Sequence, residues 1–152
     1  EEMKRGRVLG IVPFLGIMKT ALFGEPRSPP CGAGTETFTI LPDGRIIACP
    51  IAVDSAWARV GDLRRGIVRR VRIGYPCTSC ELFRYCGGRC LYAYKERLWG
   101  EEGFESVCEV TRETIEAVLE LKEGVEHLIR AGVVDEGDLY YPPYDNTTEI
   151  IP

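Results

Sequence analysis

Seven cysteines carry the chemistry this sequence can do: Cys31, Cys49, Cys77, Cys80, Cys86, Cys90 and Cys108. Cys77, Cys80, Cys86 and Cys90 form a dense central group, separated by two, five and three residues. Cys31 and Cys49 lie upstream, and Cys108 follows after a gap of 17 residues. Two thiolates two residues apart can meet one metal centre without straining the backbone. Thiolates are soft donors that select zinc, copper(I) or iron–sulfur clusters. An odd cysteine count and short repeated gaps suit a metal better than a disulfide framework, which normally uses an even number. The only histidine, His127, is distant from the cysteines, so a mixed Cys/His zinc site is not suggested. Spacing leaves two readings open: a closed Cys77/Cys80/Cys86/Cys90 zinc site, or iron–sulfur ligation, which also prefers four thiolates but accepts an open iron.

The elements that must hold these residues can be read in outline. Residues 7–12 suggest a short strand. Residues 13–23 suggest a helix with Pro13 in its first turn and Gly24 as its stop. The apolar stretch from Val8 to Met18 is too short to span a membrane and lacks a cleavage signal, so it is expected to be buried structure. Pro26, Pro29, Pro30, Gly32 and Gly34 make residues 25–34 a loop. A β-hairpin follows, Thr35–Leu41 returning through Arg45–Cys49. Pro42-Asp43-Gly44 forms its turn, with Gly44 in the left-handed position of a three-residue connection. The hairpin carries Cys49 back toward Cys31.

Asp54 or Ser55 is expected to cap a turn bearing Trp57. Asp62 is expected to cap a helix reaching Arg72, with Leu63, Ile67, Val68 and Val71 on one face. Arg64, Arg65, Arg69, Arg70 and Arg72 would then form a solvated face, or a surface for an anionic partner such as an acidic peptide. Leu91–Trp99 suggests a short helix, and residues 109–131 the longest one, with a break at Gly124 and His127 as an ordinary helix residue. Leu139, Tyr141, Tyr144 and Ile150 are candidates to pack the tail onto a surface. Asn146-Thr147-Thr148 fits a glycosylation pattern that matters only outside the cytoplasm. At 152 residues, 45% hydrophobic and 28% charged, the chain can build a soluble core. A net charge of −4 argues against bulk nucleic-acid binding.

The complete pattern is Cys31-x₁₂-Gly44-x₄-Cys49, then Cys77-x₂-Cys80-x₅-Cys86-x₃-Cys90, then Cys108. It resembles the seven-cysteine signature of the SPASM domain, the C-terminal extension of many radical S-adenosylmethionine enzymes. Cys86-Gly87-Gly88-Arg89-Cys90 and Val60-Gly61-Asp62-Leu63 are similar to that family as well, and the surroundings most resemble its peptide-modifying members. The resemblance implies an α+β fold: a hairpin and short helices stapled by two [4Fe–4S] clusters, followed by a C-terminal helix. It implies a crossed ligand set, with Cys31, Cys49 and Cys90 on the first cluster and Cys77, Cys80, Cys86 and Cys108 on the second. Some relatives carry an eighth cysteine just before the first. Residues 1–30 have none, so the first cluster is expected to keep an open iron or take a non-cysteine ligand, with a substrate peptide as one candidate.

The implied function is electron transfer or substrate engagement in peptide modification. The implied partners are a radical S-adenosylmethionine barrel, a peptide substrate and an electron donor or acceptor, with no membrane or nucleic acid. The Cys-x₃-Cys-x₂-Cys motif of the radical-generating core is missing, so S-adenosylmethionine and a third cluster would belong to that barrel, and this chain alone is expected to be inactive. The chain opens on Glu1 rather than methionine, as a piece of a longer protein would. Residues 1–24 are expected to form the seam to the barrel, 25–108 the iron–sulfur domain, and 109–152 a helix and tail. Reduced thiols point to the cytoplasm. Zinc is expected as a substitute metal in an isolated domain, and a structural zinc module for protein interaction is the competing reading. Arg84, Arg89, Tyr92 and Tyr94 lie near the cysteines in sequence, with packing and substrate contact equally open to them.

Overall fold

The computed structural model describes residues 1–25 and 31–140, and these form an α+β fold. An antiparallel meander of four short strands runs β1 (Thr39–Ile40), β2 (Arg45–Ile47), β3 (Arg59–Asp62) and β4 (Gly66–Ile67). Five helices surround it: α1 (Phe14–Phe23), α2 (Phe83–Cys86), α3 (Leu91–Glu96), α4 (Gly100–Glu120) and α5 (Lys122–Arg130). The expected tail contacts of Tyr141, Tyr144 and Ile150, the Asn146 sequon and the three prolines of the 25–34 loop lie outside the described residues.

The β1–β2 hairpin closes as its turn chemistry dictates. Thr39 pairs with Ile47 and Ile40 with Ile46. Gly44 sits at φ +83° and donates its N–H to the Leu41 carbonyl at 2.9 Å, while Leu41 N–H bonds Arg45 O at 2.9 Å. Asp43 accepts from both the Arg45 backbone and its guanidinium, which holds its carboxyl below the usual range. Helix α1 also follows expectation: Pro13 precedes it, and Gly24 ends it at φ +76° with its N–H on Thr20 O.

Several local expectations are corrected. Residues 7–12 form no strand. Burial of the Val8–Met18 stretch begins only at Leu15; Leu9, Ile11, Val12 and Phe14 remain 44% to 61% exposed. Ser55 supplies no cap; its hydroxyl and the Trp57 indole N–H both donate to Glu96 on α3, holding that carboxyl below its usual range.

The expected helix from Asp62 is instead the β3–β4 turn and an extended strand-like run. Asp62 does accept from the N–H groups of Arg64 and Arg65, at 3.1 and 3.0 Å, but these close a turn. Gly66 at φ +71° ends any helical path, and Val71 and Ile73 are buried with exposed Arg72 between them, a period of two. The arginines are largely occupied with structure: Arg65 pairs with Asp62, Arg69 donates to the Arg59 and Trp57 carbonyls, and Arg70 to Thr35 O.

The long helix starts at Gly100 rather than 109, and it breaks at Leu121, leaving Gly124 inside α5.

Two apolar cores result. The sheet core joins Ile46, Ile47, Val60, Val71, Ile73 and Leu91. The helical core joins Leu15, Ile17 and Met18 of α1 with Ile115 and Val118 of α4, Val125 of α5 and Leu139. Thr20, buried on α1, satisfies its hydroxyl on Gly16 O at 3.0 Å. Ile115 is 1% exposed at the centre of the helical core. Ile115→Ala should cost about 3 kcal/mol through lost burial and a residual cavity, measured as a lower urea midpoint at unchanged slope.

Candidate metal centre

All seven cysteines are free thiols, and they sit at the junctions between elements. Cys31 is exposed at the head of a tight loop in which Gly32 O accepts from Thr35, Glu36 and Thr37 N–H, and Thr37 Oγ1 donates to Cys31 O at 2.7 Å. That loop is tied to the far side of the sheet by Val71 N–H on Gly34 O at 3.0 Å. Cys49 lies just past β2, after Ala48, and is buried. Cys90 precedes α3 as its N-cap, and its sulfur accepts the Ala93 N–H at 3.5 Å.

The other four line one cavity of about 240 Å³, far larger than a single ion or water needs. Cys77 opens a 3-10 turn whose last carbonyl bond runs from Cys80 N–H to Cys77 O at 3.0 Å, so a two-residue gap brings both to one wall. The segment before them is anchored by Tyr94, whose hydroxyl accepts Gly74 N–H and donates to Tyr75 O. Cys86 closes α2, with the Gly88 N–H on its sulfur at 3.3 Å. Cys108 projects from α4 one turn beyond Phe104, which also lines the cavity.

Electrostatic coupling divides the seven the same way. Burial pushes the Cys49 thiol up; the Ile51 and Ala52 N–H groups oppose this, and the neighbouring Cys90 and Cys31 thiols add to it. Burial likewise raises the Cys77 thiol, with Cys108, Cys86 and Cys80 adding to it and Arg97 opposing. The Cys86 thiol is raised by burial, lowered by the Gly88 N–H, and raised again by Cys80 and Cys108. Neighbouring thiolates therefore oppose ionising Cys49, Cys77 and Cys86, a cost that a bound cation removes. Among the described residues, no three His, Cys, Asp or Glu side chains are drawn together as tightly as a single-ion site requires.

Cys86 and Cys90 thus fall into different sets although four residues apart. In a helix they would share a face. Here Gly87, Gly88 and Arg89 are all left-handed, at φ 61°, 77° and 57°, and the chain reverses between them. Gly88 also admits no side chain, because a Cβ would meet Ile73 side-chain atoms at 2.7 Å.

Of the other residues near the cysteines, Arg84 reaches Gly24 O, Tyr92 packs against Trp57, and Arg89 borders the four-cysteine cavity. His127 lies in α5, apart from both sets. Arg97 and Phe104 are functional candidates that sequence reasoning missed. Their signal was available only with α4 started at Gly100, which places Phe104 and Cys108 four residues apart on one face.

No protein-family model matches the chain, and comparisons with curated proteins and with solved structures find no match.

Proposed function

We propose that this chain is an auxiliary iron–sulfur domain that holds two [4Fe–4S] clusters and serves a radical S-adenosylmethionine barrel in peptide or protein modification. The observation that carries the reading is the crossed division of the thiols: Cys31 and Cys90 act on Cys49, while Cys80, Cys86 and Cys108 act on Cys77. This is the division the seven-cysteine resemblance implies, and it departs from the order of the cysteines in sequence. The donor chemistry supports it. Both sets are all-thiolate, as soft metal centres prefer, and backbone N–H groups reach the sulfurs of Cys86 and Cys90.

When bound, such clusters store and pass single electrons, and an iron with a free position can take a substrate ligand. The protein residues hold and tune them. Cys49 is recessed while Cys31 and Cys90 are exposed, so the three-cysteine set is the one open to a peptide. The barrel is assigned to the apolar groove beside residues 1–24. Leu9, Ile11 and Phe14 form one wall of this groove and Ala117 and Leu121 the other, around about 650 Å³. Leu9, Ile11, Phe14 and Leu121 are exposed there, apolar side chains that a docked barrel would cover. No helix among the described residues is long and apolar enough to cross a membrane.

Purification without oxygen, followed by iron and sulfide counts with absorbance and electron paramagnetic resonance spectra, tests the assignment. The expected result is about eight irons and eight sulfides per chain. Stoichiometric zinc that survives anaerobic iron reconstitution would overturn it and leave a structural zinc module.

A further inference from the structure

The two thiol sets differ in the charges that face them. Beside Cys49 stand other thiols and the neutral N–H groups of Ile51 and Ala52. At the four-cysteine set Arg97 acts on Cys77 and Arg89 on Cys86, and Arg89, Arg112, Glu101 and Glu105 line the cavity itself.

Arg97 is placed with some effort. It ends α3 at φ +49°, a left-handed conformation that costs a non-glycine residue about 1–2 kcal/mol, and its N–H bonds Ala93 O at 3.1 Å. Its guanidinium carbon stands 3.6 Å over the Phe104 ring, and Phe104 lines the four-cysteine cavity. The Arg97 Nε is 3.5 Å from the carboxylate of Glu101, a residue that also borders the cavity but is exposed there, so solvent screens the pair. Nη1 is buried and meets no acceptor among the described residues. A buried N–H on a cation without an acceptor is costly and rare, so an acceptor supplied by a bound group is the simplest resolution.

We infer that Arg97 is a positioning and tuning residue for the metal–sulfur group held by Cys77, Cys80, Cys86 and Cys108, donating its buried Nη1–H to a sulfur of that group and favouring its reduced state. This rests on the two-cluster reading above. One-electron reduction adds one negative charge to the group. Arginine stays protonated throughout, so its fixed positive charge stabilises the reduced form without a proton having to follow. Arg89 acts in the same sense but borders the open cavity, where solvent weakens it. The consequence is a less negative midpoint for the four-cysteine group than it would have without Arg97.

Arg97→Gly is a discriminating variant. Glycine relieves the left-handed backbone, so a residue that served only to end α3 would be replaced without loss. The unaltered chain, Arg97→Gly and Arg97→Lys would be reconstituted anaerobically and their iron and sulfide counted. Each would then be titrated with dithionite while electron paramagnetic resonance follows each cluster. The Cys31→Ala variant identifies which signal belongs to the four-cysteine group. The expected result is full loading of Arg97→Gly, a more negative midpoint for the four-cysteine group alone, and partial return in Arg97→Lys. Loss of that one cluster in Arg97→Gly with retention in Arg97→Lys would also support the inference, since the cation would then be needed to hold it. Unchanged midpoints in a fully loaded Arg97→Gly, or equal shifts in both clusters, would overturn the inference and leave the two-cluster reading standing. An unaltered chain that takes up no iron would overturn both, and would do so before any variant is compared.

Discussion

Cys108→Ala should abolish the same cluster signal as Cys80→Ala and leave the signal that depends on Cys31 intact. Iron should fall from about eight to about four per chain in each variant, because one all-thiolate centre is lost and the other is untouched. The partner prediction is stricter. Cys90→Ala should group with Cys31→Ala and Cys49→Ala, although Cys86, four residues away, groups with Cys108. Sequence proximity predicts the opposite pairing, with Cys77, Cys80, Cys86 and Cys90 behaving as one site and Cys108→Ala nearly silent. The crossing has a structural cause in the left-handed run Gly87–Arg89, which turns Cys90 away to cap α3 while Cys86 stays beside α4. Stability should follow loading. The four-cysteine set joins the 3-10 turn at Cys77, helix α2 and helix α4, and these contribute to both cores, so removing its metal should loosen the contact between them. A Cys108→Ala protein that keeps its full iron, or that loses the Cys31-dependent signal instead, would refute the crossed assignment.

The parts of this fold that were legible in the sequence are those where one residue's backbone preference decides the outcome. Pro42-Asp43-Gly44 can close a hairpin in few ways, and Gly24 after an apolar periodic run stops a helix; both behave so. The misread segments are those where two local signals compete. Asp62 followed by apolar residues suits a helix cap, and its carboxylate does accept two N–H groups, but glycines at 61 and 66 and the period-two burial of Val71 and Ile73 decide for strands. The start of α4 was hidden for the converse reason. Gly100 and Gly103 lower local helix propensity, and only the burial of Phe104 beside the cysteine cavity and of Ile115 in the helical core repays them. That error had a consequence for the site, because it left Cys108 looking solitary. The ligand crossing was not legible from spacing at all, since a reversal through Gly87, Gly88 and Arg89 cannot be told from a helical turn by residue type alone.

Gly61→Ala should be severely damaging, costing about 4 kcal/mol or more of stability. Gly61 pairs with Ile46 on one side and Ile67 on the other, at the centre of the sheet. A Cβ there would lie 2.0 Å from the Gly66 carbonyl oxygen and 2.9 Å from its carbon, both backbone atoms. No rotamer change relieves such a contact, so β3 and β4 must part. The ladder that positions Val71 against Gly34, and with it the loop bearing Cys31, loses its base. Gly66→Ala, in the same turn, isolates the cause. Its added methyl meets nothing within 4 Å, and its only penalty is the left-handed φ of +71°, worth about 1–2 kcal/mol. Denaturant unfolding of the two metal-free variants should therefore separate them by at least about 2 kcal/mol, and Gly66→Asn should recover part of the smaller loss because asparagine tolerates that conformation. If cluster loading is coupled to this sheet, Gly61→Ala should also lose the Cys31-dependent signal before the Cys108-dependent one, since Cys31 and Cys49 hang from the sheet while Cys86 and Cys108 are carried by helices. Equal destabilisation by the two alanines would mean that the close approach of β3 to Gly66 is not what fixes the sheet.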